Sequence, residues 1–195
     1  KIGMVNDIQI VHVIADCIRK YSPEHIIYDP VMVSTSGRKL MTNEAIEEIK
    51  KELLPLVTLV TPNIDEAKVL TGKSIQNTQD MLEAAKQLSD SYQIHILIKG
   101  GHLEGDQMCD LLYSPDHTYY IYEEKKIETK NTHGTGCTLS SAIAALLAQN
   151  YSLEEAVQQA KSYLTGAIKA AALHSPGHGY GPVSHFWFYK NPWRK

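Results

Sequence analysis

The chain is punctuated by short apolar runs, each closed by a proline or glycine and each followed by a stretch with helical spacing. His25-Ile-Ile-Tyr-Asp29 stops at Pro30, Val57-Thr-Leu-Val-Thr61 stops at Pro62, and Ile94-His-Ile-Leu-Ile98 opens onto Lys99-Gly-Gly101. Proline cannot donate to a β-ladder and glycine weakens one, so each run is a strand with a marked end. Near-continuous apolar strands alternating with helices specify a parallel sheet covered on both faces. The predicted class is α/β, doubly wound, with a mostly parallel central sheet and helices on both faces.

The helices are placed by their own signals. Val11, Ile14, Ala15 and Ile18 form one stripe of a helix over 7–20. Cys17 reads as filler on the buried side of that helix, and Cys109 likewise as filler. Further helices are predicted over 43–54, 65–71 (stopped by Gly72), 77–91, 135–149 and from 152 to about 174. The segments 109–113 and 118–127 read as an antiparallel pair at one edge. No repeat or linker divides the chain, so one domain over 1–195 is expected.

Composition excludes several function classes. Nineteen Lys+Arg against 22 Asp+Glu give a net charge of −3, without the basic excess that holds a nucleic-acid backbone or an anionic membrane. The longest apolar run, 142–148, is far too short to span a bilayer. Three widely spaced cysteines fit neither a disulfide framework nor a CxxC metal site, which points to a reducing, cytoplasmic setting. Asn150-Tyr-Ser152 matches the glycosylation pattern, but nothing else speaks for secretion, and the opening residues lack the charged and apolar regions of a signal peptide, so glycosylation is not expected.

Ligands of an open parallel sheet bind beyond the carboxyl ends of its strands, so the residues after each run are the candidates. Asn131-Thr-His-Gly-Thr-Gly-Cys137 precedes an apolar helix, and its glycines with the helix start either hold an anion or make an ordinary turn. No Walker A sequence occurs. Cys137, in the first turn, is either a thiolate favoured by the helix end or a buried core residue. Asn63 and Glu66 suit Mg²⁺ through oxygen but, taken alone, read better as a helix cap. Lys99 either reaches a phosphate or is a surface lysine. His174 and His178 are separated by Pro176 and Gly177 and make a poor zinc pair, and the glycine-rich stretch 177–182 follows no strand and reads as a loop.

In order, Lys1-Ile-Gly-Met4, Asp29-Pro-Val-Met-Val33 with Ser36-Gly37, Thr61-Pro-Asn-Ile-Asp-Glu66-Ala67, Leu70-Thr-Gly72, Lys99-Gly-Gly-His102, Asn131 to Cys137, and Gly179-Tyr-Gly-Pro182 with His185 closely resemble the hydroxymethylpyrimidine/phosphomethylpyrimidine kinases of the ribokinase-like superfamily. The resemblance implies a ribokinase-like sheet of eight or more mainly parallel strands, ATP and Mg²⁺ as cosubstrates, and successive phosphorylation of the hydroxymethylpyrimidine and its monophosphate in thiamine diphosphate biosynthesis. By the same resemblance Gly134, Thr135, Gly136 and Cys137 form an anion hole, with Cys137 where related sugar kinases carry an aspartate base. Lys99, Thr132, Asn63 and Asp29 attend the ATP phosphates, and Glu66 with Asn63 organises Mg²⁺ through water. Met4 and Val31 line the pyrimidine pocket, and a homodimer is common in the superfamily.

The family's Gly-rich segment ahead of the Lys1–Met4 motif is not in this sequence, so part of the pyrimidine lid is expected to be missing. A chain starting at Lys1 is therefore expected to bind Mg·ATP weakly, to turn over little pyrimidine and to associate through a bare sheet edge. Rival readings are a vitamin B6 (pyridoxal) kinase of the same family, a cysteine-nucleophile enzyme using His133 and Cys137, and an inactive ligand-binding fragment.

Overall fold

A computed structural model describes residues 1–32, 40–101, 107–174 and 177–189. The expected loop at 33–39 with Ser36 and Gly37, as well as His102 and Pro176, lies outside the described residues. The chain has two compact units, Lys1–Lys125 and Lys126–Lys195. Among the described residues no helix is long and apolar enough to cross a membrane.

In the first unit, helix α1 (Ile8–Tyr21) starts where the Asp7 side chain accepts the N–H groups of Gln9 and Ile10, and stops where Ser22 turns left-handed. Val11 and Ala15 of the predicted stripe are buried. Cys17 is not: it is exposed, correcting its assignment as filler, whereas Cys109 is buried as expected. At 3.6 residues per turn Cys17 points about 120° away from Val11 and so falls off the stripe.

Strand β1 (Ile27–Tyr28) is followed by α2 (Asn43–Glu48), capped by Thr42. The single helix expected over 43–54 instead continues as a π-helical turn (Ile49–Leu53) and a 3₁₀ turn (Leu54–Leu56). Pro55 explains the change, since its ring would clash with the Lys51 carbonyl and it offers no N–H. Strand β2 (Leu59–Val60), helices α3 (Ile64–Thr71) and α4 (Thr78–Tyr92), and strands β3 (His95–Lys99), β4 (Gln107–Tyr113) and β5 (Tyr119–Lys125) complete the unit.

The five strands stand in sequence order, β1–β2–β3 parallel and β4 and β5 antiparallel to their neighbours. This is the α/β class with the antiparallel edge pair that the sequence predicts. The described sheet has five strands, where the resemblance implied eight or more. Tyr28, Val60 and Ile96 lie side by side on one face and join the core under α1 to α4, with Ile98, Leu111 and Tyr113. Ile27, Leu59, Leu97 and Leu112 alternate onto the other face and are equally withdrawn from water. Both faces of the parallel part are therefore covered. The ladders of β1 and β2 are two residues long, shorter than the apolar runs, and Pro30 and Pro62, which have no N–H to donate, bound them on the carboxyl side.

In the second unit, α5 (Thr135–Leu147) packs on α6 (Leu153–Ala172), which begins in a reciprocal cap between Ser152 and Glu155. Leu139 and Ile143 of α5 and Ala156, Val157 and Ala160 of α6 are buried.

Candidate active site

Strand register assembles the first group of candidates. With Tyr28 opposite Val60, the residues that follow them, Asp29 and Thr61, emerge together at the carboxyl ends. The Thr61 hydroxyl donates to Asp29 Oδ1 at 3.2 Å, and Lys99, at the end of β3, donates through Nζ to the same oxygen at 2.9 Å. Lys1 Nζ stands 3.8 Å from the other carboxylate oxygen. Asp29 is 1% exposed, so the pair with Lys99 is largely shielded from water. The surface-lysine alternative for Lys99 therefore fails: its side chain retains 17% of its exposure and is aimed at a buried carboxylate.

Asn63 and Glu66 form the cap that the sequence favoured. Asn63 Oδ1 accepts the Glu66 N–H at 2.9 Å and Glu66 Oε2 accepts the Asn63 N–H at 2.7 Å, closing a capping box at the start of α3. Glu66 is buried, and desolvation raises its pKa against the opposing pull of Lys99 and of the Asn63 amide, while Asp29 adds to the rise. A cation arriving here would be favoured by this desolvated carboxylate. The Asn63 side chain is spent on the cap, so it would meet a cation only through water, in keeping with Mg²⁺, which retains several waters. Among the described residues no three or more His, Cys, Asp or Glu side chains gather as a metal cage.

Three residues here had no role assigned from the sequence, although Lys1 and Thr61 stand in the family-like motifs. Lys1 and Thr61 reach Asp29 only because of strand register, and the hydroxyl of the fully buried Tyr28 has no hydrogen-bond partner among the described residues. Burial foremost, then the charges of Glu66 and Asp29, pushes the Tyr28 pKa well up, so it stays a neutral phenol.

The second group lies in the second unit. Gly134, at φ 85°, is the left-handed residue before α5, a conformation that costs most other residues strain. Its reversal leaves the N–H groups of Gly136 and Cys137 pointing off the helix start, and among the described residues no acceptor meets them. Thr135 donates its N–H to the Thr132 carbonyl at 3.3 Å. Cys137 is exposed, which removes the core-residue alternative. The turn thus presents free amides, a positive helix end and an accessible thiol.

Met4 is 54% exposed, and Val31 is half-buried with its N–H bonded to the Asp29 carbonyl at 2.9 Å. A groove of about 330 Å³ in the first unit is lined by Val13, Ile14, Cys17, Tyr21, His25 and neighbours, and none of the candidate residues lines it, although Lys1, which stands beside Asp29, does. His174 and His178 are exposed. Residues 177–182 form a loop, as predicted.

Comparison with known proteins decides the family. The profile of phosphomethylpyrimidine kinase matches residues 1–184. The chain belongs to the phosphomethylpyrimidine kinase family. It is 44% identical over 187 residues to the hydroxymethylpyrimidine/phosphomethylpyrimidine kinase of Rhizobium meliloti, covering 95% of this chain and 70% of that protein. Among solved structures it is similar to the phosphomethylpyrimidine kinase of Clostridium difficile (TM-score 0.74, 38% identity, 85% of this chain and 67% of that one). It is also similar to the pyridoxal kinase of Staphylococcus aureus in complex with ADP (TM-score 0.87, 32% identity, 97% and 68%). A family member of this kind is a phosphotransferase with a ribokinase-like fold, as the motif order implied.

Proposed function

We propose that this family member transfers the γ-phosphoryl group of ATP, with Mg²⁺, to 4-amino-5-hydroxymethyl-2-methylpyrimidine and then to its monophosphate, in thiamine diphosphate biosynthesis. The same reading makes 1–195 one kinase domain, acting in the cytoplasm as a homodimer. The observation that carries it is the α5 start, with Gly136 and Cys137 amides that meet no acceptor among the described residues, beside an exposed thiol.

Phosphoryl transfer asks a protein for alignment and for relief of charge on the phosphoryl oxygens. Bound Mg²⁺ would supply further charge neutralisation near Glu66, whose desolvated carboxylate favours a cation. The Gly134, Thr135, Gly136 and Cys137 turn offers amide donors to an oxyanion. The Cys137 thiolate accepts the substrate hydroxyl proton as the new O–P bond forms and the bond from the γ-phosphorus to the β–γ bridging oxygen breaks, releasing ADP. Lys99, now paired with Asp29, offers its ammonium to phosphate oxygens, with Thr132 and Asn63 as further polar neighbours of the phosphates and Asp29 holding the lysine. Met4 and Val31 line the pyrimidine side.

The likeness to a pyridoxal kinase at TM-score 0.87 supports a second reading, phosphorylation of pyridoxal or pyridoxine. Turnover on both substrates, followed as ADP release, separates them. A kcat/KM higher on the pyrimidine supports the first reading, and a higher value on pyridoxal replaces it with the second.

A further inference from the structure

The turn that opens α5 is gripped from both sides by a segment distant in sequence. Ahead of it, the buried Asn131 donates through Nδ2 to the carbonyls of Ala171 and His174, each at 2.6 Å, tying the approach to the end of α6. His133 then donates its N–H to the Gly181 carbonyl at 3.0 Å and pairs with Pro182 in a short parallel bridge. After the turn, the hydroxyl of the buried Thr138 meets Nε2 of His185 at 3.0 Å. Residues 181 and 185 therefore bracket 134–137.

That bracket is itself fastened to α6. The Ser184 N–H donates to the Ala167 carbonyl at 3.2 Å, the Tyr163 hydroxyl to the His185 carbonyl at 3.0 Å, and Trp187 Nε1 to the Tyr163 carbonyl at 3.1 Å. The Trp187 ring lies so close to Gly166 that a Cβ there would stand 2.2 Å from it, so the contact needs glycine.

The helix does not need His185 to form, because the Thr138 N–H already closes the first helical bond to the Gly134 carbonyl at 2.8 Å. A helical threonine hydroxyl commonly turns back to a carbonyl of its own helix. Here it is directed to the imidazole instead, which fixes the residue adjoining Cys137. We propose that His185 is a positioning residue which, through Thr138, holds the first turn of α5 in one orientation, so that the Gly136 and Cys137 amides and the Cys137 thiol stay aligned for phosphoryl transfer. The assignment rests on reading 134–137 as the phosphate-facing turn, and displacements of about 1 Å at such a place cost about 100-fold in rate.

Amide hydrogen exchange and steady-state kinetics on the full chain test it, using His185→Ala, His185→Gln and His185→Ala with Thr138→Val. Exchange across 132–138 is expected to speed about tenfold in His185→Ala, with α6 unchanged, and to stay near the parent in His185→Gln, whose amide still reaches Thr138. The kcat of His185→Ala should fall about 10- to 100-fold with the ATP KM within about twofold, and adding Thr138→Val should cost nothing more. Unchanged exchange at 132–138, faster exchange spread equally over α6, or losses that multiply in the double variant overturn the assignment. A parent chain that also carries the family's Gly-rich segment and phosphorylates neither substrate refutes the functional reading, and the exchange comparison alone then decides whether His185 holds the turn.

Discussion

Lys99 and Asp29, seventy positions apart in sequence, meet at 2.9 Å with the carboxylate 1% exposed. A buried pair of this kind is a weak device for stability, but removing one partner strands the other. Lys99→Met is therefore expected to destabilise the protein by about 3 kcal/mol, at the low end for a broken buried pair because Lys1 faces the second oxygen. Adding Asp29→Asn should recover most of that loss and none of the kinase activity. Denaturant unfolding with parallel assays checks both, and a double variant as unstable as the single one would show that the pair is not what the fold responds to.

Glu66 predicts a pH dependence. Its folded pKa is raised, chiefly by desolvation, so the folded state holds more protons than the unfolded state between the ordinary carboxylate value and the raised one. Stability falls as pH rises through that window and is then level. Glu66→Gln keeps a side-chain carbonyl for the Asn63 N–H and removes the charge, so thermal melts should show the variant more stable than the parent above the window and equal to it below. Half-maximal turnover should meanwhile need more Mg²⁺. Melting curves that run parallel at every pH would refute the desolvation argument.

Cys137 is expected to act in the chemical step. In a chain that also carries the family's Gly-rich amino-terminal segment, Cys137→Ala should lower kcat by roughly 10²–10⁴, the range for a lost general base, with little change in nucleotide affinity. Cys137→Asp, restoring a proton acceptor at the helix start, should retain more activity than the alanine variant. Because the thiol is exposed, neither change should shift the melting temperature much. Near-parental turnover in Cys137→Ala would assign the proton transfer elsewhere.

Whatever acts within a few residues was legible from the order of the amino acids. Pro30 and Pro62 mark strand ends through a missing N–H. Asp7, Asn63, Asn77 and Ser152 start helices by accepting amides two or three positions on. The order of motifs carried the family. Tertiary structure decided what depends on register and on which way a residue faces. Thr61 reaches Asp29 across 32 positions because β1 and β2 pair in parallel at Tyr28 and Val60. Apolar periodicity located the stripe of α1 yet misassigned Cys17, since a residue beyond the edge of the stripe, 120° from Val11, is buried only if a second element covers it. His185 and Thr138 lie 47 positions apart, and their contact exists because the last described segment folds back along α6, where the small Gly166 admits the Trp187 ring. No local propensity encodes such a meeting, because its free energy comes from packing between elements that are strangers in sequence.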